Sequence, residues 1–142
     1  MNSRTSVPGF FLATGMFLAL SAGAQAEDHQ AIPTVDVNAA RTMVANHDDA
    51  VILDVRTAAE FEISHISGAT NIDVQAESFR ELVAALDPDK TYIVHCTKNP
   101  VDGRSSRALQ VLDGLGFKNL YSLEGGYIAW KDAELPLTEA AN

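Results

Sequence analysis

Between Pro33 and Pro136 the chain alternates short apolar runs with longer stretches in which apolar residues recur at helical spacing. "PTVDV", beginning at Pro33, predicts a strand that feeds the helical "NAARTMVAN". "AVILDV", from Ala50 to Val55, is nearly continuous in apolar residues, as a strand covered on both faces must be. After it "TAAEFEI" predicts a short helix and "ATNID" a brief strand. "AESFRELVAALD" sets Phe79, Leu82, Val83 and Leu86 at helical spacing, and "PDK" closes that helix. "TYIVHC" is the next strand and breaks into a polar loop at Cys96. "GRSSRALQVLDGLGF" then places Ala108, Leu109, Val111, Leu112 and Leu115 on one broad apolar face, with Gly116 as its stop. "KNLYSL" is a last strand and "EGGYIAWKDAELPL" a terminal helix ending near Pro136. Strands alternating with helices predict an α/β fold, a parallel sheet with helices on both faces. Ligands of such sheets lie beyond the carboxyl ends of the strands, which is where Cys96 stands.

Composition changes this picture mainly at the beginning of the chain. Arg4 is followed by the apolar run Phe10 to Leu20 and then by small residues ending in "AQA", Ala24 to Ala26. This order predicts a cleaved secretory signal over residues 1–26 and a single domain over 27–142, placed in the periplasm or secreted. The run is shorter than the roughly 20 apolar residues of a membrane span, so no membrane contact is expected after cleavage. Retention of the segment as an anchor is the alternative. All 19 acidic residues follow Ala26, with nine of the ten basic ones, so the exported part carries a formal charge of about −10. That field excludes nucleic acid and anionic membrane surfaces as partners. A small anion binds only where local positive charge and backbone N–H groups overcome it.

Cys96 is the single cysteine of the sequence. An oxidising compartment rewards disulfides, yet one thiol forms none within the chain, so it is either a buried filler or a reactive group. Its place at a strand-to-helix loop faces it toward a helix N-terminus, where unpaired N–H groups favour a thiolate. Lys98 and Arg104 add positive charge, and Asp102 opposes them if it points inward. The four histidines and Cys96 show no metal-ligand spacing, and no cofactor is expected. His95 neighbours Cys96 on a strand, so its side chain is expected on the opposite face.

"VILDVRTAAEFEISHISGATNI", "IVHC" with "GRSSRALQVLDGLGF", and "NLYSLEGGYIAW" together resemble the successive signatures of a single rhodanese-like (sulfurtransferase) domain. The first is similar to that family's D-V-R, E-F and H-I-x-G-A-x-N-I pattern. The last is similar to its L-x-G-G-x-x-x-W ending, here with Gly125, Gly126 and Trp130. The resemblance implies a five-stranded parallel sheet flanked by helices, and a Cys96 that takes a sulfane sulfur as a persulfide and passes it on. It implies a donor that is a small sulfur-containing anion or a protein-borne persulfide, and a thiol or cyanide-like acceptor. The transferred group would be cradled by the loop formed by Thr97, Lys98, Asn99, Pro100, Val101, Asp102, Gly103 and Arg104. Asp54, Arg56 and His65 are expected as polar supports behind it, with Glu60 beside them, or as residues that fix the turn after the second strand.

The loop departs from the family. Seven residues separate Cys96 from Arg104, more than in ordinary rhodaneses or in the related cysteine phosphatases and arsenate reductases. A ring of amides absorbs extra residues only by widening or by folding a bulge outward. The expected function is an exported sulfurtransferase whose donor is left open by this loop. A phosphatase or arsenate reductase of the same fold, and a non-catalytic sulfur- or partner-binding module, remain as alternatives.

Overall fold

The computed structural model describes residues 31–141. The apolar run and the "AQA" site lie outside the described residues. In chain order the elements are β1 (Thr34–Val35), α1 (Val37–Asn46), β2 (Ala50–Asp54), α2 (Ala58–Ile63), β3 (Ser64–Ile66) and β4 (Thr70–Asn71). There follow α3 (Phe79–Ala84), β5 (Thr91–His95), α4 (Arg104–Gly114), β6 (Asn119–Leu123), α5 (Gly126–Asp132) and β7 (Leu137–Glu139). Local chemistry fixes several of the boundaries. The Asp36 carboxylate accepts the Ala39 N–H at 2.8 Å and starts α1. Thr57 and Glu60 form a capping box that starts α2. Gly116, at φ 86°, takes the left-handed position just beyond α4.

Five strands form a sheet in the order β1-β6-β5-β2-β4, every neighbouring pair parallel. The most apolar strands, β2 and β5, lie inside it, where both faces are covered. On one face Leu53, Val55, Tyr92, Val94 and Cys96 pack against Phe79 and Val83 of α3 and Ala108, Leu109 and Leu112 of α4. On the other, Ile52, Ile93 and Leu123 meet Ala40 of α1 and Tyr127 and Trp130 of α5. The period of two along β5 therefore assigns Cys96 to the α3/α4 face and His95 to the α1/α5 face.

Two details differ from the sequence expectation. The buried stripe of α3 is Phe79 and Val83, continued past its end by the partly buried Leu86, while Leu82 is 49% exposed, because the buried line follows the i, i+4 spacing and turns Leu82 outward. The chain after Pro136 forms β7, antiparallel to β3, with Ser64 opposite Glu139 and Ile66 opposite Leu137. Strands of three residues leave no alternation long enough to be seen in a sequence.

Candidate active site

Cys96 follows the last residue of β5 and is 3% exposed, on the floor of its loop. Ser105, in the first turn of α4, places its hydroxyl 3.6 Å from Sγ. The N-cap of α4 is Gly103, which offers no side-chain cap, so the first N–H groups of the helix are free to point at the sulfur. Burial raises the thiol's pKa, but the Ser105 hydroxyl and the backbone N–H groups of Ser105, Asn99 and Lys98 outweigh it. The net shift is downward from the ordinary value. The site thus stabilises a thiolate with dipoles, and the same dipoles suit a negative charge that moves onto a sulfur bonded to Sγ.

The extra length of the loop folds outward. Gly103 N–H donates to Pro100 O at 2.9 Å and closes a turn whose tip is Val101, 88% exposed, and the exposed Asp102. The Ser106 hydroxyl also donates to Pro100 O, at 3.3 Å, fastening the turn to α4. Just before the turn Asn99 adopts φ 49°. Its Oδ1 accepts the Cys96 N–H at 2.6 Å, and its Nδ2 donates to Val94 O at 3.2 Å and to the Ser122 hydroxyl at 3.1 Å. One amide therefore ties the loop to β5 and β6. A cleft of about 390 Å³ runs along the outer side of the turn, between Asn99, Val101, Leu109, Gln110 and Ser122.

A charged cluster holds the near side of the loop. Arg104 donates from its two terminal nitrogens to the two carboxylate oxygens of Glu60, at 2.6 and 3.1 Å. The Thr97 hydroxyl donates to Glu60 Oε1 at 3.1 Å and accepts from Arg104 at 2.8 Å. The hydrogen-bonded Arg104 guanidinium holds the Glu60 carboxyl at about 2.

Behind the loop, Arg56 grips Asp54 through Nε and a terminal nitrogen at 2.6–3.0 Å and donates to Ser64 O at 2.9 Å. Its guanidinium lies 4.2 Å from the centre of the Tyr127 ring. Asp54 and Arg56 are both buried, so the pair joins β2, β3 and α5 from within. His95, fully buried, meets Cys96 O through Nδ1 at 3.0 Å, which places the proton on Nδ1 because a carbonyl only accepts. Its Nε2 stands 3.7 Å from Asp54 and makes no hydrogen bond among the described residues. Burial lowers the His95 pKa, against the opposing pull of Asp54, and keeps the ring neutral. Tyr127 N–H also donates to Cys96 O, and Ile128 N–H to Thr97 O, both at 3.0 Å. Gly126 permits that approach: at φ 59°, any Cβ on it would lie 2.6 Å from Cys96 O.

Of the residues expected from sequence, the structure gathers Thr97, Asn99 and Arg104 around Cys96 and puts the Lys98 N–H on the sulfur, with the Lys98 side chain exposed. Pro100, Val101, Asp102 and Gly103 make the outward turn. Asp54 and Arg56 form the buried pair, whereas His65 is engaged elsewhere, with Nδ1 2.7 Å from Phe61 O and its ring stacked on Phe61. Sequence reasoning missed Ser105, whose only signal is a hydroxyl residue in the first turn of the helix after the cysteine. Glu60 was expected only beside Asp54, Arg56 and His65, and its bonds to Arg104 and Thr97 were missed, because the Thr57-x-x-Glu60 spacing marks a helix start and says nothing of a distant arginine. Among the described residues no group of three or more His, Cys, Asp or Glu is placed to hold a metal ion.

Comparison with known proteins agrees with this geometry. The GlpE thiosulfate sulfurtransferase of Vibrio cholerae is 33% identical over 104 residues, 72% of this chain and 92% of that protein. The uncharacterized protein slr1261 of Synechocystis sp. is 38% identical over 95 residues, 66% of this chain, which spans only 50% of that relative. A rhodanese-related protein of Thermoplasma volcanium has a crystal structure that aligns with a TM-score of 0.61 at 28% identity, over 75% of this chain and 97% of that one. The 3-mercaptopyruvate sulfotransferase SseA of Escherichia coli shares the fold, with a TM-score of 0.64 at 22% identity over 78% of this chain and 53% of that one. The family model of the rhodanese-like domain matches residues 36–133, from the cap of α1 to the end of α5 with the Cys96 loop inside, and the chain belongs to that family.

Proposed function

We propose that this protein is an exported sulfurtransferase that carries sulfane sulfur as a persulfide on Cys96. The observation that carries the reading is the Cys96 sulfur lying 3.6 Å from the Ser105 hydroxyl at the N-terminus of α4, with loop N–H groups turned toward it. Membership of the rhodanese-like family and kinship with proteins named thiosulfate sulfurtransferase support sulfur transfer in general. In the first half-reaction the Cys96 thiolate attacks the outer sulfur of a donor such as thiosulfate. The donor's S–S bond breaks, sulfite leaves with the electron pair, and Cys96 holds a persulfide. In the second, a thiolate or cyanide attacks the outer sulfur, and the electron pair of the broken bond returns to Cys96. The terminal sulfur is anionic between the two steps, and the dipoles around Cys96 suit it.

A phosphatase or arsenate reductase needs its arginine on the bound oxyanion, whereas Arg104 is spent on Glu60. Mass spectrometry of protein incubated with thiosulfate and then desalted tests the proposal. A one-sulfur increment on Cys96, discharged by cyanide and lost in Cys96→Ser, is the expected result. Hydrolysis of an aryl phosphate without any sulfur adduct would replace this reading with the phosphatase one. Export is tested by N-terminal sequencing of protein from the periplasm or medium, which should begin near Glu27.

A further inference from the structure

Arg104 is the cation that the sequence puts at the mouth of the site, and the structure shows it already taken. Its two terminal nitrogens meet both oxygens of Glu60, and the shorter contact is 2.6 Å. Glu60 is itself fixed on α2 by the Thr57 N–H at 3.1 Å and the Thr57 hydroxyl at 3.0 Å. The Thr97 hydroxyl, one residue from Cys96, bridges carboxylate and guanidinium. Five donors converge on this one carboxylate, so its orientation is set before any ligand arrives. Asp73 adds a further negative charge that acts on Arg104. Glu60 is ionised throughout the working pH range, since its pKa is held at about 2.

We infer that Glu60 is a specificity-determining residue: by occupying Arg104 it leaves the Cys96 site with N–H dipoles but without the Arg104 guanidinium as a free charge, and so disfavours small, multiply charged sulfur donors. The inference rests on the sulfurtransferase reading for its substrates, but not for its electrostatics. A dianion such as thiosulfate gains little from a guanidinium whose charge is matched by a carboxylate in bidentate contact. A neutral or singly charged sulfane donor loses less by that neutralisation. The pair is partly exposed, 21% for the Arg104 side chain and 35% for Glu60, so the effect is largest at low ionic strength.

The test compares alkylation of Cys96 by iodoacetate, an anion, with alkylation by neutral iodoacetamide. Both react with the same thiolate, so the ratio of their rates reports the local charge and cancels any change in thiolate fraction. Glu60→Gln, which preserves the capping box, should raise the ratio about three- to tenfold at low salt. Arg104→Met should lower it, and the double variant should return near the wild-type value. In parallel, Glu60→Gln should lower the thiosulfate KM more than it changes kcat, while the KM for a neutral dialkyl trisulfide stays nearly constant. Equal ratios in wild type and a folded Glu60→Gln variant would overturn the inference. If Glu60→Gln does not fold, the double variant decides: a ratio close to wild type supports the neutralised pair, and a ratio well below it shows that Arg104 acts as a free cation. Absence of thiosulfate turnover in every variant would refute the substrate reading and leave the alkylation order to decide the electrostatics.

Discussion

Cys96 is flanked by groups that each supply one dipole, and Ser105 supplies two, its hydroxyl and its N–H. Ser105→Ala removes the hydroxyl while keeping the helix N–H. The alkylation midpoint of Cys96 should therefore move up toward that of free cysteine. The rate with iodoacetamide at neutral pH should fall by roughly three- to tenfold, as for loss of a hydrogen bond to a charged group. A pH–rate profile of both proteins checks this, and an unchanged midpoint would mean that the hydroxyl is not bonded to the thiolate. At this scale the sequence exposes the cysteine, because a lone thiol at the end of an apolar strand is visible in one dimension. It also shows Arg104 as a cation. It hides the partner of that cation, 44 positions away, because only the folded sheet brings α2 beside the loop.

The elements act on the site through their ends. The loop is held by the N-terminus of α5, where Tyr127 and Ile128 N–H groups bind the carbonyls of Cys96 and Thr97, and this contact requires a residue without Cβ at position 126. Gly126→Ala combines a left-handed φ with a backbone overlap at 2.6 Å. It should destabilise the protein by about 2–4 kcal/mol, read from urea titration, and lower sulfur transfer at least tenfold in protein that remains folded. The N-terminus of α2 contributes differently. Because the Arg104 bond lowers the folded-state pKa of Glu60 from 4.5 to about 2, the ionised carboxylate favours the folded state. That contribution is complete above about pH 4.5 and is lost as the pH falls toward 2. Glu60→Gln should accordingly lose less stability than the wild type between pH 6 and pH 3, measured as the change in urea midpoint. An equal loss in both would place the acid sensitivity elsewhere. Helices and central strands were readable from their periods and caps, since β2, β5 and α4 are long enough to repeat their pattern. β3 and β7 were not, since their pairing depends on the chain after Pro136 returning to Ser64, a tertiary event with no local signature.

At the scale of the whole molecule, the parallel sheet delivers the carboxyl ends of β5 and β2 to one edge, and Cys96, Asp54 and the loops after them assemble there. The chain's acidity leaves local dipoles to attract an anion, so the inner loop that carries them is the part that chemistry constrains. The outer turn is separable from it. Its ends are already joined by the Gly103 N–H bond to Pro100 O, and Asn99, which anchors the inner loop to β5 and β6, precedes it. Deleting Val101 and Asp102 together should therefore leave the N–H groups of Lys98, Asn99 and Ser105 on the sulfur. The Cys96 alkylation rate at neutral pH should stay within about twofold, because both deleted residues are exposed and the inner loop is held by Asn99 instead. Thiosulfate kcat/KM should change by a similar factor, since the outward fold spares the N–H groups to which the proposed mechanism assigns the transferred sulfur. A fall of about a hundredfold, the cost expected when catalytic donors are displaced by about 1 Å, would show that the turn braces the inner loop and that its extra residues belong to the reaction site.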